Sequence, residues 1–303
     1  MAKEKAMTLI EFQEKCATEE SCCERVFQEK WPEGFRCPKC HHTHAYCIKT
    51  RRLPLYECAA CGYQPSLTVG TVMENTRTDL RKWFLAIYLE SQDKRGVSAL
   101  QLAETIGVTY KTAWLMLQKI RKAMGQRDAQ YQLAGIVELD DAYFGAPTEG
   151  GKRGRGTEQT KVLVGVSLNQ KGHPLYAKME VIPDIKGMTL VDFAQRCIEP
   201  GATINSDAYR SYKALANEGY EHRPIEFNVK KNPDHLKWLH TIISNAKAFI
   251  GGTFHGLDEK HLQLYLNEFC YRFNRRHMKP RLFNHLLKLC ASTATITYPE
   301  LAV

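Results

Sequence analysis

Apolar residues recur at helical intervals through the first thirty positions, where Leu9, Phe12, Cys16, Cys23, Val26 and Phe27 share one face, so the chain is expected to open with helix. The texture then changes. Between Trp31 and Val69 the sequence is loop-like and rich in cysteine, and from Thr78 to about Met124 helical periodicity returns. Trp83-Phe84-Leu85-Ala86-Ile87-Tyr88-Leu89 reads as an apolar helix, and Ser98 is placed to cap a second one through Leu100, Leu102 and Ala103. Ile106-Gly107-Val108-Thr109 fits the glycine-containing connection of a helix-turn-helix, with Thr109 capping a second helix from Tyr110 to Lys122. Ala113, Leu117 and Ile120 mark its inner face, which leaves Tyr110, Lys111, Lys119, Arg121 and Lys122 as candidate DNA contacts. Two packed helices with no DNA partner would show the same apolar pattern.

A third texture begins near Gly135, where apolar runs alternate with helical patterns to about His277, as expected of a mixed α/β domain. Residues 136–141 read as a strand with Val137 and Leu139 on one face and Glu138 and Asp140 on the other. Lys161 to Leu168 is apolar enough to be a central strand, and Leu175 to Ile182 supplies another. A helix is predicted from Met188 to Cys197 and a short strand from Thr203 to Asp207, followed by a further helix opening at Ala208-Tyr209. The stretch Glu259 to Arg276 is amphipathic, with Leu262, Tyr265, Leu266, Phe269 and Phe273 inward and Arg272, Arg275 and Arg276 available to DNA.

Composition narrows the partners. The chain has 303 residues, 44% apolar and 25% charged, and no apolar run approaches the roughly 18 residues of a membrane helix, so no membrane span is expected. The start Met-Ala-Lys-Glu-Lys lacks a secretory signal pattern, which predicts a cytoplasmic protein. An excess of 42 basic over 33 acidic residues, net +9, favours a polyanionic partner such as nucleic acid. In a cytosolic chain, eleven cysteines are read for metal binding by their spacing. Cys37-Pro38-Lys39-Cys40 and Cys58-Ala59-Ala60-Cys61 are two C-x2-C pairs 17 residues apart, the spacing of a four-cysteine structural zinc site. Cys47, His41, His42 and His44 are rival ligands without paired spacing, and Lys39, Lys49, Arg51 and Arg52 lie near the ribbon tip where phosphates could be met. The glycine-rich run Gly150 to Gly156 carries Lys152, Arg153 and Arg155, a composition suited to gripping a phosphate backbone or to a solvated loop.

These residues resemble insertion-sequence transposases of the DDE class with an N-terminal zinc ribbon, the ISXO-like transposase family. The likeness is carried by residues 35–40, by Val137-Glu138-Leu139-Asp140-Asp141-Ala142-Tyr143-Phe144-Gly145, by Asn205-Ser206-Asp207-Ala208-Tyr209, and by a closing block from His235 to Arg276. It implies a ribonuclease H-like fold in which two aspartates, Asp140 and Asp207, and a third residue bind Mg²⁺ or Mn²⁺. Where the family usually has glutamate, gapless alignment on Lys247 and Gly252 gives His240, with Asn245 as second choice. On a helix, His240, Ser244, Lys247 and Gly251 share one edge beside the stripe Leu239, Ile243, Ala246 and Ile250, which suits a metal ligand followed by a lysine reaching DNA. The expected fold class is therefore multidomain α/β: N-terminal helices and zinc ribbon over 1–74, a helix-turn-helix over 75–130, the catalytic domain over 131–280 and a tail over 281–303. The implied activity is DNA cleavage and strand transfer at transposon ends by a nucleoid-associated homodimer or higher oligomer on double-stranded DNA. A DNA-binding regulator without catalysis is the alternative that the missing glutamate keeps open.

Overall fold

Thr8 and Thr18 set the first two helices. Each begins a capping box, Thr8 with Glu11 and Thr18 with Ser21, so the N-terminal helical stretch is split into α1 (Leu9–Lys15) and α2 (Glu19–Lys30). The break changes which face is buried: Cys22 and Val26 are fully enclosed and Cys23 only partly, while Leu9 is exposed. In this computed structural model, which describes residues 5–146, 156–226 and 234–302, the chain divides into two compact units. One comprises Met1–Met124 with His277–Val303, the other Gly125–Arg276.

In the first unit a hairpin of β1 (Ala45–Ile48) and β2 (Leu55–Cys58) is followed by α3 (Leu80–Gln92), α4 (Ala99–Ile106) and α5 (Tyr110–Asp128), the last running into the second unit. Ser98 caps α4 by accepting from the Gln101 N–H at 3.1 Å, and Gly107 ends the helix at φ 63°, a conformation that strains any side chain bearing Cβ. Thr109 accepts from the Thr112 N–H at 3.2 Å at the start of α5. The segment expected to be a tail is instead core. It forms α9 (Leu282–Ser292) and α10 (Pro299–Ala302), and Leu282, Phe283, Leu286, Leu287, Cys290, Ile296 and Leu301 are all buried. The Phe283 ring meets Phe12 edge-on at 5.6 Å and Tyr88 at 6.0 Å, joining α9 to α1 and α3.

The second unit is a five-stranded sheet in the order β5-β4-β3-β6-β7: β3 (Ile136–Phe144), β4 (Thr160–Leu168) and β5 (Pro174–Val181) form an antiparallel meander, while β6 (Thr203–Ser206) and β7 (Glu221–Pro224) run parallel to β3. One face packs α6 (Gly187–Cys197) and the 3-10 helix Arg210–Glu218 onto Val137, Leu139, Leu163 and Ile204. The other packs α7 (Lys237–Thr253) and α8 (Leu262–Asn274) onto Ala142, Phe144, Val162, Val164 and Met179. As its apolar run predicts, β4 is covered on both faces. β7, with the polar sequence Glu-His-Arg-Pro, carries no alternation that would reveal it.

The outer edge of β5 is closed by α8. Gln263 accepts from the Val181 N–H at 2.8 Å and donates to the Met179 carbonyl at 3.0 Å, and Asn274 accepts from the Ala177 N–H at 2.7 Å and donates to its carbonyl at 3.0 Å. Two side-chain amides thus stand in for a neighbouring strand. Replacing Asn274 by Ala strands both Ala177 groups in a buried setting, and since each unmet buried group costs about 1–3 kcal/mol, a loss of about 2–4 kcal/mol is expected in chemical denaturation of the second unit. A loss below 0.5 kcal/mol would contradict this assignment.

Candidate functional site

The two cysteine pairs fold into matched knuckles. The His41 N–H donates to the Cys37 carbonyl and the Gly62 N–H to the Cys58 carbonyl, both at 2.9 Å; the Cys37 N–H reaches the His42 carbonyl and the Cys58 N–H the Tyr63 carbonyl, again at 2.9 Å. Each knuckle turns through a positive φ directly after its second cysteine, 62° at His41 and 66° at Gly62. The thiols converge, with Cys37 Sγ 3.7 Å from Cys61 Sγ and Cys40 Sγ 3.5 Å from Cys58 Sγ. Four sulfurs held at about 2.3 Å around one tetrahedral ion are separated by about 3.8 Å along each edge, so the cluster fits a structural Zn²⁺. Among the described residues it is the only group of three or more His, Cys, Asp or Glu side chains with donor atoms all within 4.8 Å of one another, and the rivals Cys47, His41, His42 and His44 stand outside it.

An aromatic cluster ties the ribbon to α2. Trp31 lies 5.1 Å from Phe27, 5.1 Å from Phe35 and 5.3 Å from Tyr56, and Lys30 sits over its ring at 4.5 Å. Arg52 is paired with Glu19 and Asp79, each at 3.3 Å, and donates to the Thr76 carbonyl, yet like Lys39, Lys49 and Arg51 it remains exposed.

In the second unit the parallel register pairs Val137 with Ile204 and ends on Leu139 with Ser206, so Asp140 and Asp207 directly follow its last pair. Alternation along β3 turns Asp140 to the face covered by α7, and Asp207 is the first residue after β6. Asp140 Oδ1 accepts from the Asp141 N–H at 2.8 Å, and Asp207 Oδ1 from the Tyr209 N–H at 3.1 Å. Asp141 points the other way, where it accepts from the hydroxyls of Tyr143 at 2.7 Å and Tyr212 at 3.4 Å. That contact separates the roles of two adjacent aspartates that sequence alone leaves side by side.

α7 crosses the face that bears Asp140. Its Leu239, Ile242, Ile243 and Ala246 are buried while His240, Ser244, Asn245 and Lys247 are exposed, as the predicted stripe and edge require, and Lys247 Nζ lies 5.7 Å from the centre of the Phe144 ring. Asp140, Asp207 and His240 are not drawn into one cluster of donors. Two histidines that sequence reading did not single out lie near Asp207, one of them, His222, on the sheet face of Ile204 rather than that of Asp140. His235 is buried just before α7, where desolvation, with the nearby His240, lowers its pKa while the Asp207 charge opposes the shift. His222 on β7 shares a 2.8 Å hydrogen bond with Ser206 Oγ, and burial lowers its pKa against the same Asp207 charge. Loss of water around the ring lowers that of His240 as well.

The basic candidates fare unequally. Lys111 is exposed near the start of α5, and Lys247 along α7. Lys119 is buried and donates to the Val72 carbonyl at 3.2 Å, and Arg121, 1% exposed, is paired with Glu90 at 3.8 Å, so neither can meet DNA. The three C-terminal arginines are also committed: Arg272 to Glu268, Arg275 to Asp128 at 2.8 Å, and Arg276 to the Leu175 and Phe273 carbonyls. Periodicity could not reveal this, because long cationic side chains reach back over the apolar stripe beside them. Lys152, Arg153 and Arg155 lie outside the described residues.

Set against known proteins, residues 132–274 match the ISXO2-like transposase domain and residues 17–64 the transposase zinc-ribbon domain. An uncharacterized protein in transposable element ISH50 of Halobacterium salinarum is 30% identical over 206 residues, 62% of this chain and 67% of that protein. An uncharacterized transposase-like protein of Haemophilus influenzae is 25% identical over 104 residues, 34% of this chain and 84% of its own. The class is that of zinc-ribbon transposases that bind DNA. This chain belongs to the ISXO2-like transposase family. No described helix is long and apolar enough to cross a membrane.

Proposed function

We propose that the second unit is a ribonuclease H-like catalytic domain that cuts DNA at transposon ends and joins the freed 3′-hydroxyl to target DNA. The observation that carries this reading is the parallel register of β3 and β6, whose last pair, Leu139 with Ser206, is followed directly by Asp140 and Asp207. Hard carboxylate oxygens so placed fit Mg²⁺ or Mn²⁺, and His240 on the overlying helix is the third candidate ligand. Such ions, when bound, stabilise the attacking and leaving oxygens of an in-line displacement. The protein's own part is to present the carboxylates together and, through Lys247, to meet the phosphate backbone from the edge of α7. In the first unit, α4 and α5 form the proposed helix-turn-helix, with Tyr110 and Lys111 at the start of the second helix directed to DNA. Two protomers would act on paired ends.

The deciding experiment joins an oligonucleotide duplex bearing the DNA that flanks the gene to a target plasmid with divalent metal present. Metal-dependent joining supports the reading; tight binding of the duplex without any joining would favour a regulator instead. Imidazole suits softer ions better than Mg²⁺, so joining in Mn²⁺ is expected to exceed that in Mg²⁺ by about tenfold, and His240→Glu to narrow the gap. Equal rates with both ions, or full activity of His240→Ala, would remove His240 from the site.

A further inference from the structure

α7 is 17 residues long, yet its N-cap residue makes no side-chain cap bond. Its N-cap, Leu236, adopts a left-handed φ of 49°, which costs a residue with Cβ about 1–2 kcal/mol, and offers no side-chain acceptor to the first-turn N–H groups. The Lys237 N–H is met by the Asp234 carbonyl at 3.2 Å. The Leu239 N–H is met from 101 positions earlier in sequence, by Glu138 Oε2 at 2.9 Å. Glu138 is buried on β3, two residues before Asp140 and on the same face, opposite Asn205 of β6 and Val166 of β4. At the far end of the contact Lys247 lies over Phe144, so α7 runs along the strand that carries Asp140 and is tied to it on both sides of that residue. A carboxylate at a helix N-terminus is also favoured by the helix dipole. The first unit repeats the device, Glu19 of α2 accepting from the Leu80 and Arg81 N–H groups of α3, whose own N-cap Asp79 makes no cap bond.

We propose that Glu138 is a positioning residue of the site: it fixes where α7 begins and so sets the reach of His240 and Lys247 relative to Asp140, without itself holding metal or DNA. The inference rests on the proposed catalytic reading of Asp140 and Asp207. It also makes a claim that stands without catalysis, namely that the Glu138 side chain pins the first turn of α7.

The test uses the full chain and the variants Glu138→Ala and Glu138→Gln, because an amide oxygen can still accept from Leu239. Hydrogen exchange of the Leu239 and His240 amides, with no DNA present, is expected to quicken at least tenfold in E138A and to stay within threefold of wild type in E138Q. Nicking of a supercoiled plasmid in Mn²⁺ is expected to fall about 10- to 100-fold in kcat for E138A, the effect of a misplaced group of order 1 Å, and to recover in E138Q. KM for the plasmid should change less than threefold in both. Unchanged exchange in E138A would overturn the proposal, as would E138Q as inactive as E138A, since the charge itself would then be needed. If E138A does not fold, E138Q alone decides by the same two readouts. A wild-type protein that never nicks DNA, with the exchange result intact, would instead overturn the catalytic reading.

Discussion

Asp140→Asn and Asp207→Asn proteins are expected to bind the end duplex within about threefold of wild type and yet lose joining by about 10³-fold or more. Asp140 on β3 and Asp207 just after β6 directly follow the last paired residues of those strands, Leu139 and Ser206, so each substitution removes one side of the same proposed cation site. Charge stabilisation by a bound ion contributes several kcal/mol to a phosphoryl-transfer barrier, and each 1.4 kcal/mol is a factor of ten. Asp141→Asn is the control. Its carboxylate faces Tyr143 and Tyr212 on the opposite side, so this change should lower stability more than the rate. The measurement is single-turnover joining beside duplex anisotropy at one salt concentration. Wild-type rates in Asp207→Asn would remove Asp207 from the reaction, and an equal collapse in Asp141→Asn would mean that the face assignment is wrong.

The second large effect concerns the ribbon. Its hairpin has two four-residue strands, too little to bury a core, and its four sulfurs already stand at near-tetrahedral spacing. Structural zinc sites contribute on the order of 10–16 kcal/mol of apparent binding free energy, so Cys58→Ser or exhaustive chelation is expected to unfold the ribbon outright. The protein should then lose one equivalent of zinc, the near-ultraviolet signal of the cluster around Trp31 should collapse, and protease should cut between Trp31 and Val69. The unfolding midpoint of the second unit should be unchanged, because it contains none of the ligands. A metal-free protein with an intact Trp31 signal would show that the thiols, rather than zinc, hold the knuckles.

The sequence exposed some of this and hid the rest for definable reasons. Paired cysteine spacing and strand alternation are local, so the ribbon ligands and the outward turn of Asp140 from Val137 and Leu139 could be read directly. The break between α1 and α2 was also written locally, in Thr8 with Glu11 and Thr18 with Ser21, but apolar periodicity masked it. What stayed hidden depends on distant partners. His235 gains meaning only beside Asp207, Lys119 is withdrawn only by the Val72 carbonyl, and Glu138 looks like any polar strand residue until Leu239 is brought to it. The core role of α9 stayed hidden because the partners of Phe283, Phe12 and Tyr88, lie 271 and 195 positions earlier.

That last packing has a consequence for how the protein is made. Phe283 and its neighbours complete the interior of a unit whose other members lie before residue 125, with the whole sheet inserted between. On the ribosome the inserted unit can close as soon as Arg276 has emerged, whereas the unit that bears the ribbon must wait for α9. A chain stopped before Leu282 is then expected to leave a folded sheet joined to an unfinished ribbon-bearing half.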